Sequence, residues 1–255
     1  MTKRNRSYRK LSDTTRYGAK NIKPVERADT TPVPLFLLIK GPQKGRPLPI
    51  PEGHWTIGRG SESDISVQGR GISRIHLQLE SAPDGSVKAT DCNSTNGMLV
   101  NGNWVREHHF SAGDILQLGP EVACKFTLLP ACELDMQLHL YDQSILDDLT
   151  GLYNRRYLID TLRRSISAAF RRRKPLCLVV VDIDRFKQIN DTHGHGIGDK
   201  ILAQFAALLD ETLRTEDVCA RIGGEEFALI LGDLDLQGCR DAVERIRVLI
   251  ASHPF

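Results

Sequence analysis

The rhythm of apolar positions changes twice along this chain. Between residues 33 and 130 they come in short bursts, "PLFLLI", "HWTIG", "IHLQL", "VKATD", "GMLVNG", "DILQLG" and "ACKFTLL", separated by Gly, Pro, Asn and Asp. Short strands with turn signals at close spacing predict an all-β sandwich. Residues 133–146, "ELDMQLHLYDQSIL", then place Leu134, Leu138, Tyr141 and Ile145 on one helical stripe. This connecting helix either pairs with a copy of itself or packs on its own domain. Beyond it the pattern alternates. "RRYLIDTLRRSISAAFRRRK" is an amphipathic helix whose terminal Arg/Lys cluster suits the negative end of a helix dipole. "PLCLVVVDID" is a continuous apolar run and predicts a buried central strand. "IGDKILAQFAALLDETLR" is a helix, "VCARIGGEEFALILGD" a hairpin and "LQGCRDAVERIRVLIASHPF" a last helix. That order predicts an α/β domain with helices covering a sheet.

Four segments follow: 1–32, 33–130, 131–146 and 147–255. Residues 1–32 are rich in Lys and Arg and poor in apolar residues, so disorder is expected there. Such a tail either stays solvated or touches nucleic acid or anionic lipid. No aromatic residues alternate with its charges in the way nucleic-acid binding favours, and a net charge of +2 points to no polyanionic partner. No apolar run reaches the roughly 18–20 residues that span a bilayer, and no apolar segment follows the basic N-terminus as in a secretory leader. The six cysteines are scattered without CxxC pairing, which suits free thiols in a reducing cytoplasm. Neither a membrane nor a nucleic-acid partner is expected.

Charge changes the picture at the second domain. Asp182 and Asp184 close an apolar strand, and residues i and i+2 of a strand share a face. That end of the strand is where α/β sheets usually bind ligands. Uncompensated carboxylates there call for a hard cation such as Mg²⁺. Glu225 and Glu226, on the tip of the predicted hairpin, are a second carboxylate source. With Asp182 they would make a pocket able to hold two metals and clamp the oxygens of a phosphoryl or nucleotidyl transfer.

"RIGGEEF", "VDIDRFKQINDTHGHGIGD" and "DDLTGLYNRRYL" together resemble a GGDEF domain, the diguanylate cyclase family, over about residues 147–255. The resemblance implies a palm-like nucleotidyl-cyclase sheet. It implies that two GTP molecules, one presented by each half of a homodimer, are joined into cyclic di-GMP with release of pyrophosphate. By motif position, Asp182, Glu225 and the Ile183 carbonyl resemble the metal ligands, with two Mg²⁺ (or Mn²⁺) per GTP. Glu226, or Glu225 itself, resembles the group that deprotonates the ribose 3′-hydroxyl. Asn190 and Asp199 resemble guanine readers, with His195 in the same loop. The backbone of Arg185 and Phe186, with Lys187, would lie against the phosphates, and Gly223 and Gly224 would leave room for nucleotide. Asp184 is either a further ligand or structural. Arg214 and Asp217, in "RTED", match by their spacing before GGEEF the inhibitory site for cyclic di-GMP, which outweighs the reading of an RxxD as a surface ion pair. Similar domains run about fifty residues further, so a C-terminally incomplete domain is expected.

In the first domain, "TIGRG", "GISRIH" and "DCNSTNGMLVNG" bring a phosphate-matching fork and directional donors to three loops. These stretches resemble a forkhead-associated (FHA) domain, over about residues 33–130. The resemblance implies phosphothreonine-peptide binding by Arg59, Ser73, Arg74, Thr95 and Asn96, with His76 structural and Gly58 and Gly97 in turns. The bound segment would belong to a partner protein or to the chain's own phosphorylated tail, at Thr14, Thr15, Thr30 or Thr31. The combination implies a phosphopeptide-regulated diguanylate cyclase. The rival readings are a non-catalytic scaffold that binds nucleotide or nothing, and another nucleotidyl transferase on the same palm.

Overall fold

The structure, a computed structural model, describes residues 32–60, 62–214 and 216–255. The basic tail and its threonines lie outside them. The chain divides into two compact units, one ending at Tyr141 and the other running from Asp142 to Phe255.

The first unit is the expected sandwich. Its strands are β1 (Val33–Lys40), β2 (Pro47–Pro49), β3 (Gly53–Gly58), β4 (Ile65–Ser66), β5 (Leu77–Ser81), β6 (Val87–Asp91), β7 (Met98–Val100), β8 (Asn103–Val105), β9 (Glu107–His109), β10 (Ile115–Leu118) and β11 (Val122–Leu129). They form a six-stranded sheet, β2-β1-β11-β10-β7-β8, and a five-stranded sheet, β4-β3-β5-β6-β9. Inward residues from both sheets, including Phe36, Ile57, Leu79, Met98 and Phe126, make one buried core. Phe36 meets Phe110 and Phe126 edge to face, at centroid separations of 4.9 and 5.5 Å, a geometry that adds about 0.5–1.5 kcal/mol per pair beyond area burial.

The connecting helix, α1 (Ala131–Ile145), starts just after β11. Its stripe serves the sandwich: Leu134 is buried with Val33 and Leu35, and Leu138 packs on the same cluster. Tyr141 is also buried.

The second unit contains β12 (Tyr153–Asn154), α2 (Arg155–Arg172), β13 (Leu176–Asp182), α3 (Phe186–His193), α4 (His195–Thr212), β14 (Val218–Arg221), β15 (Glu226–Gly232) and α5 (Leu236–Ala251). The Asn154 side chain accepts from the Tyr157 N–H to start α2, and Asp235 caps α5 through Gly238. Such caps satisfy N–H groups that the first turn leaves unpaired. The sheet order is β12-β14-β15-β13. Phe205, Leu209, Phe227 and Leu229 build the core on one face, and Leu158, Ala228 and Ile230 that on the other. Among the described residues no helix is long and apolar enough to cross a membrane.

One expectation differs here: among the described residues strand β13 is at the edge of the sheet rather than its centre. Cys177, Val179 and Val181 face the larger core, but Leu178 and Val180 are 50% and 61% exposed. The continuous apolar run signals burial on both faces, while α2 runs mainly over the neighbouring strands and reaches β13 near Leu176.

Candidate functional sites

The GGEE turn joins β14 to β15. Arg221 pairs with Phe227 as the last ladder step, and the Ile222 N–H donates to the Glu226 carbonyl at 2.9 Å. Neither Gly223 nor Gly224 takes a left-handed φ, so the backbone of the turn does not itself require glycine. Gly223 instead lies under the Glu226 carboxylate, which a Cβ would strike, while a Cβ on Gly224 would meet only open space.

On the far side of β15, Asp182 is directly opposite Glu226 in the antiparallel register. Opposed residues of such a pair share a face with Cβ atoms about 4.5–5.5 Å apart, and like charges there repel. Both residues are exposed, and Glu225 precedes them in the turn. None of the three has a described ion-pair partner. Strand β13 ends at Asp182, so the two-residue alternation does not extend to Asp184. Arg185, at φ 58, turns the chain into α3. Asp184 is therefore a turn residue and not a same-face partner of Asp182. The Ile183 carbonyl accepts the Phe186 N–H at 3.3 Å, leaving one lone pair. Among the described residues no three His, Cys, Asp or Glu side chains gather closely enough to hold a metal ion. The carboxylates thus reach one end of the sheet without forming a closed cage. That suits Mg²⁺, which commonly binds through one or two carboxylates and completes its shell with substrate phosphates and water.

Asn190 on α3 packs against Gly198 at the start of α4, where a Cβ would collide with its Oδ1. That buried Oδ1 has no hydrogen-bond partner among the described residues. His195 opens the same helix and Asp199 follows one turn later, both exposed. Lys187 is exposed, whereas the Phe186 side chain is core, so only its backbone faces the loop. The N-terminus of α3 has no side-chain cap, which leaves N–H groups suited to an anion. In the RxxD segment, Asp217 Oδ2 accepts the Arg214 N–H at 3.1 Å and Asp217 N–H donates to the Arg214 carbonyl at 3.1 Å. Asp217 thus bonds the Arg214 backbone, its buried Oδ1 has no hydrogen-bond partner among the described residues, and Arg214 is exposed.

Two residues inside the quoted motifs had no role assigned from sequence. Arg221 Nε donates to the carbonyls of Gly223 and Gly224, at 3.1 and 3.2 Å, and Nη2 to Gly224 at 2.7 Å. Its Nη1 reaches both Asp147 oxygens, at 3.2 and 3.3 Å. An arginine two residues before a Gly-Gly turn was the available signal, because a fork there can collect turn carbonyls. Burial pushes the Asp147 carboxyl up, but its bonds from Thr150 and Arg221 outweigh this and hold it below the ordinary 3.8. A depressed carboxyl stabilises the fold fully above its unfolded value and loses that contribution as pH falls through the folded one. Wild type should therefore be more stable than Asp147→Asn near neutrality, with the gap closing below about pH 4. Urea titrations across pH check this, and a gap that does not change with pH would refute it.

In the sandwich, three loops converge. Arg59 N–H donates to the Ser73 carbonyl at 2.9 Å, and Thr95 N–H to Ser73 Oγ at 3.0 Å. Asn96 Nδ2 donates to the Gly71 carbonyl at 2.7 Å. His76, fully buried, accepts the Ser73 N–H at Nδ1, so Nε2 carries the proton and donates to the Gly97 carbonyl at 3.0 Å. Gly58 allows β3 to approach the Arg74 carbonyl, which a Cβ would strike. Arg59 is exposed, and Arg74 makes a long ion pair with Glu62 at 3.6 Å. The structure therefore gathers Arg59, Ser73, Thr95 and Asn96 at one end of the sandwich, with Arg74 beside them.

Family models decide what these units are. "Diguanylate cyclase, GGDEF domain" matches residues 144–255, and "FHA domain" matches residues 55–119. The chain carries an FHA domain followed by a GGDEF domain. Among curated proteins it is similar to the response regulator PleD of Caulobacter vibrioides, 41% identical over 117 residues, covering 46% of this chain and 26% of that protein. It is also similar to the diguanylate cyclase DgcP of Pseudomonas aeruginosa, 34% identical over 219 residues, covering 80% of this chain and 32% of that protein. The chain thus spans about a quarter to a third of the length of these relatives. Among solved structures it resembles the GGDEF domain of DgcB from Caulobacter crescentus in complex with c-di-GMP, at 36% identity, covering 44% of this chain and 65% of that one, with a TM-score of 0.43. The fold class is settled: an all-β FHA sandwich joined to an α/β GGDEF domain.

Proposed function

We propose that the GGDEF domain is a diguanylate cyclase and that the FHA domain regulates it by binding phosphothreonine. The observation that carries the cyclase reading is the register of Asp182 against Glu226. It opposes two carboxylates at a sheet end, with a third beside them and no described protein cation to neutralise them. Asp182, Glu225 and the Ile183 carbonyl would hold Mg²⁺, or Mn²⁺ in its place, with two ions per GTP. When bound, the metal neutralises the triphosphate and polarises the attacking hydroxyl.

Glu226, or Glu225, accepts the proton of a ribose 3′-hydroxyl. The 3′-oxygen then bonds to the α-phosphorus of the second GTP, and the bond to pyrophosphate breaks. Two such steps close the ring and release two pyrophosphates. A homodimer of GGDEF domains presents the two nucleotides to each other. Asn190 and Asp199 read guanine, which the unmet Oδ1 of Asn190 supports. His195 shares their loop. The uncapped α3 start, at Phe186 and Lys187, receives phosphate, and Gly223 and Gly224 leave the turn open to nucleotide. Arg214 and Asp217 bind the product as an inhibitory site. Arg59, Ser73, Arg74, Thr95 and Asn96 bind the phosphorylated segment, supplied by a partner protein or by the chain's own tail. Six cysteines outside any disulfide support a reducing cytoplasmic setting.

The rival reading is a scaffold in which the GGDEF domain binds nucleotide without turnover. Incubation of the purified chain with GTP and Mg²⁺, followed by chromatography and mass spectrometry, separates the two. The cyclase reading expects cyclic di-GMP from wild type and none from Glu226→Gln or Asp182→Ala. Bound GTP without product would leave the scaffold.

A further inference from the structure

Three glycines lie close together in "HGHGIGD", residues 193–199, and each stands in a different setting. Gly194 is the single residue between α3 and α4, and its φ of 81° favours glycine although a Cβ there would meet open space. Gly196 has neither a positive φ nor a neighbour that a Cβ would touch. Gly198 has no positive φ either, but it is buried. A Cβ there would strike Asn190 Oδ1 and press on Phe186 Cζ at 3.1 Å.

Phe186 and Asn190 are one turn apart on α3, so they lie on one face of that helix. The missing side chain of Gly198 is the notch that seats this face on α4. Alanine is a better helix residue than glycine, so the need for space, not propensity, accounts for Gly198. The Phe186 ring is fixed in the core with Leu202 and Phe205. The Asn190 backbone is held too, its carbonyl accepting the Gly194 N–H at 2.8 Å. The part left to yield to a new Cβ is the Asn190 amide. No hydrogen bond orients its Oδ1 among the described residues, so packing against Gly198 sets the amide's direction. Asp199, the other candidate base contact, is the next residue.

We propose that Gly198 is a positioning residue for base selection: the space it leaves aims the Asn190 amide and thereby sets the preference for guanine over adenine. The proposal rests on the reading of Asn190 as a guanine contact. The test is calorimetric binding of non-hydrolysable GTP and ATP analogues to the full chain with Mg²⁺. Wild type should favour the GTP analogue. Gly198→Ala should bind it about tenfold more weakly, the worth of one hydrogen bond, and bind the ATP analogue as before. A general loosening of the domain would weaken both. Asn190→Ala should lose the same selectivity, and the double variant should lose no more, because one effect runs through the other. Gly196→Ala should match wild type with both analogues.

Thermal unfolding supplies a readout that holds even if Gly198→Ala folds poorly. Gly198→Ala should melt below wild type, and the double variant with Asn190→Ala should melt above Gly198→Ala, since the atom that the new Cβ strikes is gone. A double variant no more stable than Gly198→Ala, or a Gly198→Ala that keeps the wild-type preference, overturns the positioning role while the guanine reading stands. An Asn190→Ala that keeps that preference undiminished, or a wild type without one, overturns the guanine reading and the positioning role with it.

Discussion

Asp182→Asn should abolish cyclic di-GMP formation and, at the same time, raise the melting temperature of the nucleotide-free protein. The two effects share one cause. Asp182 and Glu226 face each other across a ladder step with like charge, an arrangement that costs stability unless a cation intervenes. Neutralising one member removes the repulsion, and because both are exposed the gain should be modest, about 2 °C. The same change removes a ligand from the metal, and the loss in turnover should be about a hundredfold to a thousandfold or more, as when an electrostatic group at a transition state is deleted. Calorimetry and a product assay on one preparation check both halves. Concentrated salt should shrink the stability gain, because exposed charges are screened. A variant that loses stability together with activity would make Asp182 a structural residue, and a variant that keeps its activity would remove it from the site.

Arg221→Ala is expected to have the largest effect on stability. The guanidinium holds two turn carbonyls and the Asp147 carboxylate, and its side chain is 15% exposed. Deleting it leaves Asp147 partly buried without its cation and the turn carbonyls without their donor, a loss of about 2 kcal/mol. Arg221→Lys should recover little, because an ammonium cannot span three acceptors with a planar fork. Urea midpoints for Arg221→Ala, Asp147→Asn and the double variant should show a coupling of about 1 kcal/mol. Product formation should fall with Arg221→Ala, since the turn that presents Glu225 and Glu226 loses its brace. Additive single effects, or a stable and fully active Arg221→Ala, would contradict the bracing role.

The sandwich was largely legible because strand bursts and turn residues are local signals. The short β2, β4, β8 and β9 were not read, since strands of two or three residues leave no periodicity to detect. The other helices and the GGEE hairpin were legible for the same local reason, but α3, only eight residues long, was not read. The edge position of β13 was not: an apolar run reports what a strand can bury, not which neighbours lie beside it. Asp184 was grouped with Asp182 by a two-residue period that ends where the strand ends. Arg221 and Asp147 went unassigned although both were in quoted motifs, because their partnership spans 74 positions and only the folded chain brings them together.

The Arg221 brace also sets an order of assembly. The β14–β15 hairpin closes over a few residues and forms on the microsecond scale typical of hairpins. Its lock on Asp147, and the parallel pairing of β12 with β14, must wait for distant closure, the slow kind of contact. A GGEE turn can therefore exist as a bare hairpin well before its carbonyls are claimed. Amide exchange at Ile222, whose N–H bonds lie within the hairpin, would report the early event. Exchange at the Arg221 N–H, which by the alternation of the ladder faces β12 rather than β15, would report the late one.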